Sequence, residues 1–388
     1  MKLFMWGIDG FCHWVIDANP DKFPTLQKLK NGGNYALAPV GNPVTWECWT
    51  TVLTGQLPYH HGIRTMTCPE VGLLSRNEAN YQQTFWSCFE NVGWRVGVTN
   101  FPPMTYPVQQ GVRNGWMLSG SLNYPLEVWS TSSDDLQCKL KSYTHDDYWQ
   151  LGVMLDSSNA SIEEIHNRQQ QTIDELKIHR QIAFDNVVML CKEDPVDVLL
   201  HYQHFLDFLQ HYVLGNRYED VLEAYEWIDD CLAYIIDTFN PETIIITSDH
   251  GQMALREWNN AASCRTQWPQ NKVHGDGEIF FTEERLPKYN YICGTHNHIA
   301  TVLFYGDGIS PIDSNILDMA LEDIMPTALQ AKLITPPTNI DGRIRDDMLG
   351  IDSRFAQSQV VEDRLADLGY VDAPPGIGQR DSGRGVIS

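Results

Sequence analysis

Short continuous apolar runs alternate along this chain with longer stretches in which apolar positions return every three or four residues. Residues 2–8 are apolar apart from Lys2 and stop at the Asp9-Gly10 turn, which reads as a strand buried on both faces. Further strands are expected at 94–99, 197–203, 243–248 and 300–305. Helical periodicity occupies 23–30, where Pro24 stands near the start and Gly32-Gly33 ends the pattern, and it recurs at 81–92, 217–239 and 318–331. Strands alternating with helices predict an α/β sandwich around a largely parallel sheet.

Two stretches interrupt the alternation. Residues from about 105 to 190 are rich in aromatic and polar side chains before a long helical pattern from Ser161 to Cys191, and they are read as a cap insertion. Residues from about 254 to 295 hold Trp258, Trp268, several Asn and Gln and little periodicity, the pattern of a long loop over a site. The expected organisation is a single domain over 1–372 and a flexible tail over 373–388.

Composition narrows the class. With 388 residues and 43% hydrophobic content, the chain can bury one large core. No apolar run approaches the roughly 20 residues that span a membrane. The apolar start is too short for a signal peptide and lacks its cleavage site, so a cytoplasmic location is expected. The nine cysteines are scattered and form no Cys-x-x-Cys pair, which argues against a disulfide scaffold or a thiolate zinc site. The net charge of −23 repels polynucleotides and anionic membranes. A small anionic substrate stays compatible if local cations offset that field, and bound metals would do so.

Four separated segments carry metal-ligating residue types at a predicted strand end or on a predicted helix. Asp9 follows the first strand, and Asp249 with His250 follows the strand at 243–248. Asp207 and His211 are four apart, which puts both on one helical face. His296 precedes the strand at 300–305, with His298 competing for the same role. In an open parallel sheet the strand ends face one crevice, so these segments can converge. Singly, each is as readily a core histidine, a helix cap or a helix-stabilising pair. The set in this order is far more specific.

The stretch Asn42-Pro43-Val44-Thr45-Trp46-Glu47-Cys48-Trp49, continued by Thr54-Gly55, Pro58 and His61-Gly62-Ile63, resembles the nucleophile segment of type I phosphodiesterases and nucleotide pyrophosphatases. That family belongs to the alkaline phosphatase superfamily. Asn100-Phe101-Pro102-Pro103, Asp323-Ile324-Met325-Pro326-Thr327, Asp341-Gly342-Arg343 and the segment from Arg364 to Tyr370 are similar to later parts of related chains. The likeness runs from about residue 2 to 372 and is weakest over 121–190 and 254–292. It implies an alkaline phosphatase-like three-layer sandwich with a largely parallel central sheet and a cap insertion.

The resemblance also implies a mechanism. Asp9, Thr45, Asp249 and His250 would hold one divalent ion, and Asp207, His211 and His296 another; zinc is the first expectation, manganese or iron the alternatives. Thr45 would be the nucleophile, forming a covalent phosphothreonine-type intermediate with a small, nucleotide-like phosphate ester. A helix-start hydroxyl lies beside backbone N–H donors, although the same position suits an ordinary N-cap. Family nucleotide pyrophosphatases carry a phosphate-binding Asn downstream; here the region reads Arg64-Thr65-Met66, with Arg64 the candidate replacement. Trp46 either stacks on a base or aryl group or packs in the core. A sulfatase would need a Cys/Ser-x-Pro-x-Arg context, which is absent. A phosphomonoesterase and a phosphonate hydrolase share this type of site and stay open. So does a catalytically silent nucleotide- or partner-binding protein, although all seven ligand positions are filled.

Overall fold

Every residue from Leu3 to Ile8 is buried, and the side chains part alternately into two cores: Phe4, Trp6 and Ile8 into one, Leu3 and Met5 into the other. This is why the run is continuously apolar, since both faces of the strand are covered. The structure, a computed structural model, describes residues 1–63, 67–68, 72–73, 84–102, 112–119, 127–132, 135–141, 161–215, 217–254, 294–312 and 317–350.

The strands are β1 (Leu3–Ile8), β2 (Asn34–Pro39), β3 (Thr67–Cys68), β4 (Gly72–Leu73), β5 (Val96–Thr99), β6 (Gly115–Ser119) and β7 (Glu127–Ser130). They continue as β8 (Val198–Gln203), β9 (Thr243–Thr247), β10 (Gly251–Ala254), β11 (Gly294–Asn297), β12 (Ile299–Gly306) and β13 (Leu317–Asp318). Nine of them form one sheet in the order β13-β2-β12-β9-β1-β8-β5-β6-β7. The run from β9 to β6 is parallel, while β12 and β7 pair antiparallel to their neighbours. The sheet is therefore mostly parallel, as the alternation of elements implied.

Helices cover both faces. α1 (His13–Ala18), α2 (Pro24–Gly32), α7 (Ile162–Glu193), α8 (Phe205–Val213) and α9 (Tyr218–Phe239) supply one core; α3 (Thr45–Thr54), α5 (Phe85–Asn91) and α10 (Ile324–Ala331) supply the other. Two short helices, α4 (Pro58–His61) and α6 (Leu136–Lys139), are the remaining α-helices among the described residues. α7 begins with a capping box, Ser161 and Glu164 each satisfying the other's backbone N–H.

The core claims more of the chain than the apolar pattern showed. β2, β6 and β7 were not foreseen, and β6, β7 and α7 fall inside the stretch read as a cap. These parts belong to the sheet and its helical layer: the Trp116 indole, for example, is fully buried and donates to the Asp194 carbonyl at 2.9 Å. The rest of that stretch, the expected loop over 255–293 and the chain beyond residue 350 lie outside the described residues. Among the described residues, no helix is long and apolar enough to cross a membrane.

Because β8, β1 and β9 are adjacent and parallel, their carboxyl ends open at one edge. Behind that edge His201 of β8 is buried against the Trp6 ring, with Nδ1 bonded to the Thr99 hydroxyl at 2.6 Å. Burial pulls its imidazole down from 6.5 to about 3. The folded ring stays neutral where the unfolded one takes a proton, so this contribution to stability is complete above 6.5 and declines as pH falls toward about 3. Urea unfolding across that window should lose roughly 1.4 kcal/mol per pH unit from this group, and His201→Gln should have a shallower slope by one proton. Identical slopes in both proteins would contradict this burial argument.

Candidate metal centre and active site

Asp9 leaves β1 fully buried. Its Oδ2 accepts the Tyr202 hydroxyl at 2.6 Å and the Trp49 indole N–H at 3.2 Å. Its Oδ1 has no hydrogen-bond partner and lies 3.5 Å from His250 Nε2. Asp249, after β9, repeats the arrangement: Oδ1 accepts the Gly10 N–H at 3.4 Å, and the unpartnered Oδ2 lies 3.1 Å from the same His250 nitrogen, out of hydrogen-bond alignment. His250 Nδ1 faces the Gly251 carbonyl at 3.1 Å. A carbonyl only accepts, so the ring proton sits on Nδ1 and Nε2 offers a lone pair. Three buried lone-pair atoms thus converge with no donor among them.

A second group stands beside the first. The first turn of α8 carries Asp207, and His211 follows on the same face. His211 Nδ1 donates to the Gly294 carbonyl at 2.9 Å, and His296 Nδ1 to the Pro43 carbonyl at 2.8 Å. Their Nε2 atoms therefore meet at 3.0 Å, with Asp207 3.5 Å from the one and 3.3 Å from the other. Two imidazole lone pairs at that distance repel unless positive charge lies between them. The His250 and His296 rings stack with centroids 3.7 Å apart, so the two groups adjoin. Gly10, at φ +68°, makes this possible: a Cβ there would come within 3.1 Å of the Asp207 backbone.

The titrations reflect the same crowding. Burial, reinforced by Asp207, pushes Asp9 up to about 7, and burial with Asp9 and Asp207 holds Asp249 well above the usual carboxylate range. Burial pulls His250 far down. Burial acts against ionisation of Asp207 too, but His211 and His296 outweigh it and hold its carboxyl low. Burial would also lower His296, yet Asp207 prevails and raises it to about 9. Without a cation, protons must occupy this site.

Thr45 is the first residue of α3, and Val44, not Thr45, is its N-cap, with no side-chain bond to the first turn. The threonine hydroxyl is thus not committed to capping. α3 is tied to both groups. Trp49, one turn beyond Thr45 on the same face, reaches Asp9, and Pro43 holds His296. Gly7 admits that indole, since a Cβ would lie 2.7 Å from its ring. The His61-Gly62-Ile63 spacing is explained by a brace: the Ile63 N–H donates to His61 Nδ1 at 3.0 Å, leaving Nε2 to donate to Thr51 on α3 at 3.1 Å. Asp341 and Gly342 add backbone bonds to Gly55 at 2.9 and 3.0 Å.

Of the expected residues, the structure gathers Asp9, Asp249 and His250 into one group able to hold a metal, and Asp207, His211 and His296 into another. His298 instead turns Nδ1 to the Val40 carbonyl. Trp46 is half-buried against the second core, and Arg64 lies outside the described residues.

A family model described as type I phosphodiesterase / nucleotide pyrophosphatase matches residues 3–292. The chain belongs to this family. Two solved structures share its fold, each matched over 90% of this chain and 100% of its own. They are murine ectonucleotide pyrophosphatase / phosphodiesterase 5 (TM-score 0.52, 14% identity) and the human protein of the same name (0.53, 13%). An inactive threonine-to-alanine variant of the murine protein, in complex with AMP, matches at 0.52 and 13% over the same shares. No curated protein matches in sequence.

For this phosphodiesterase-family hydrolase, sequence reasoning missed the donors Tyr202, Trp49 and Gln252. Only Trp49 left a signal, standing four residues beyond Thr45 on the helix face turned to the site. Ions that bind these converging atoms should stabilise the fold by mass action, by about 2.7 kcal/mol at a hundredfold excess over Kd. Zinc or manganese added to chelator-stripped protein should therefore raise Tm, and Asp249→Asn should reduce the rise. An unchanged melting curve on metal addition would contradict a metal centre here.

Proposed function

We propose that this hydrolase is a metal-dependent phosphodiesterase of small, nucleotide-like esters, acting through a covalent intermediate on Thr45. The observation that carries the reading is the convergence of six carboxylate and imidazole side chains, four buried and two half-buried, beside the start of α3. Asp9, Asp249 and His250, with the Thr45 hydroxyl, would hold one ion; Asp207, His211 and His296 would hold the other. Such donors suit zinc, or manganese and iron. Bound there, the ions would offset the carboxylate charge facing an incoming phosphate and favour the alkoxide of Thr45.

The rest of the chemistry falls to the chain itself. The uncapped first turn of α3 directs backbone N–H groups and the positive dipole end at the phosphoryl oxygens. Thr45 Oγ forms a bond to phosphorus as the ester bond to the leaving alcohol breaks, and water then cleaves the phosphothreonine and restores the hydroxyl. Trp46, next along the helix, is only half-buried against the second core, and its free ring area would be available to stack on a base. The murine neighbour supports this reading, since its inactive form carries a threonine-to-alanine change and was captured with AMP.

Thr45→Ala should lose at least about a thousandfold in turnover, roughly 4 kcal/mol of barrier, with metal content and folding retained. Thr45→Ser should keep part of the activity because a hydroxyl remains. Steady-state kinetics on metal-loaded protein decides the matter; a folded, loaded Thr45→Ala as fast as wild type would point to water as the nucleophile.

Substrate class is tested separately with p-nitrophenyl esters. The diester should turn over faster than the sulfate ester, because Thr45 lacks a sulfatase context. Faster sulfate turnover would overturn the reading, and a strong monoester or phosphonate preference would reassign the substrate within the same site.

A further inference from the structure

Gln252 lies two residues beyond His250 on β10 and faces His296 across the antiparallel β10–β11 ladder. Its side chain is fully buried, and its amide Nε2 donates to Asp207 Oδ1 and stands 3.3 Å from His211 Nε2. One side chain thus meets Asp207 and His211, on a residue paired in register with His296. Its backbone is held independently: the Gln252 carbonyl accepts the Trp14 indole N–H at 3.2 Å and the Asn297 amide at 3.0 Å. The other end of the side chain, Oε1, is buried without a hydrogen-bond partner.

Both atoms that face the amide are acceptors. Asp207 is a carboxylate, and His211, with Nδ1 committed to the Gly294 carbonyl, presents a lone pair at Nε2. The N–H2 group therefore supplies the partial positive charge these atoms demand. A cation bound among them would satisfy the same lone pairs and repel the N–H2. The two ends of an amide have nearly the same size, so a half-turn of the terminal group exchanges Oε1 for Nε2 without moving the backbone.

We propose that Gln252 is the fourth ligand of this group, offering Oε1 to a divalent cation; the inference rests on the metal reading above. The donors are then one carboxylate oxygen, two imidazole nitrogens and one neutral amide oxygen, a set that zinc, manganese and iron all accept. A neutral ligand also completes the group without adding a fourth carboxylate beside Asp9, Asp207 and Asp249.

The test is calorimetric titration of chelator-stripped full-length protein with zinc and with manganese, folding being checked by circular dichroism. Wild type should take up two ions, one for each group. Gln252→Met, of similar length but without a hard oxygen, should weaken one of them by about tenfold or more and leave the other unchanged. Gln252→Glu, which presents oxygen in either orientation, should hold that ion at least as tightly as wild type and decides the matter alone if Gln252→Met does not fold. Unchanged or tighter binding in Gln252→Met would make the amide a competitor of the ion and overturn the assignment, as would weaker binding in Gln252→Glu. Wild-type protein that takes up no ion would instead overturn the metal reading, and this assignment with it.

Discussion

Three carboxylates buried together just beyond three adjacent strands, two at strand ends and one in the first turn of α8, are the constraint on which the rest of the structure depends. Asp9, Asp207 and Asp249 are withdrawn from water and close enough to raise one another's cost of ionisation. The chain meets part of that cost with uncharged donors: Tyr202 and Trp49 on Asp9, the Gly10 N–H on Asp249, Gln252 on Asp207. Each carboxylate is thereby left with an oxygen turned toward an imidazole Nε2. Each of the three histidines of these groups, His211, His250 and His296, spends Nδ1 on a backbone carbonyl. Carbonyl-anchored imidazoles and hydrogen-bonded carboxylates are the kind of arrangement that orients metal ligands.

The backbone makes this crowding possible at a few positions. β1 is central to the sheet and covered on both faces, so its end is a fixed point from which Asp9 projects. The Asp9-Gly10 turn lets α8 close on that end, and Gly7 lets Trp49 pass beneath α3 to reach Asp9. α3 is held from behind by His61 and by the backbone of Asp341 and Gly342. The helix that carries Thr45 is therefore located by the same contacts that locate Asp9 and His296, and a shift of one would disturb the other.

The parts legible in the sequence were those whose signal is local. β1, β8, β9 and β12 showed as apolar-rich runs because both their faces are buried, and the carboxylates and histidines that the fold gathers drew notice because they stood at or near those runs. β2 carries Asn34 and ends on Pro39, and β6 and β7 lie amid aromatic and polar residues at one side of the sheet, so neither gave a strand pattern. The aromatic side chains that suggested a cap include Trp116, which is core. Tyr202 and Gln252 were invisible for another reason. A tyrosine or glutamine at a strand end is common, and only the tertiary register shows that its polar atom meets a ligand carboxylate. Even His296 and His298 were separable only in three dimensions, one turning into the centre and the other to Val40.

The most direct measurement of the central claim is anomalous diffraction from crystals grown with manganese or zinc, recorded on both sides of the metal's absorption edge. Two anomalous peaks are expected, one enclosed by Asp9, Thr45, Asp249 and His250 and the other by Asp207, His211 and His296. Full metal supply with no peak at these residues, or with peaks only on the protein surface, would contradict the assignment of this buried cluster as a metal centre.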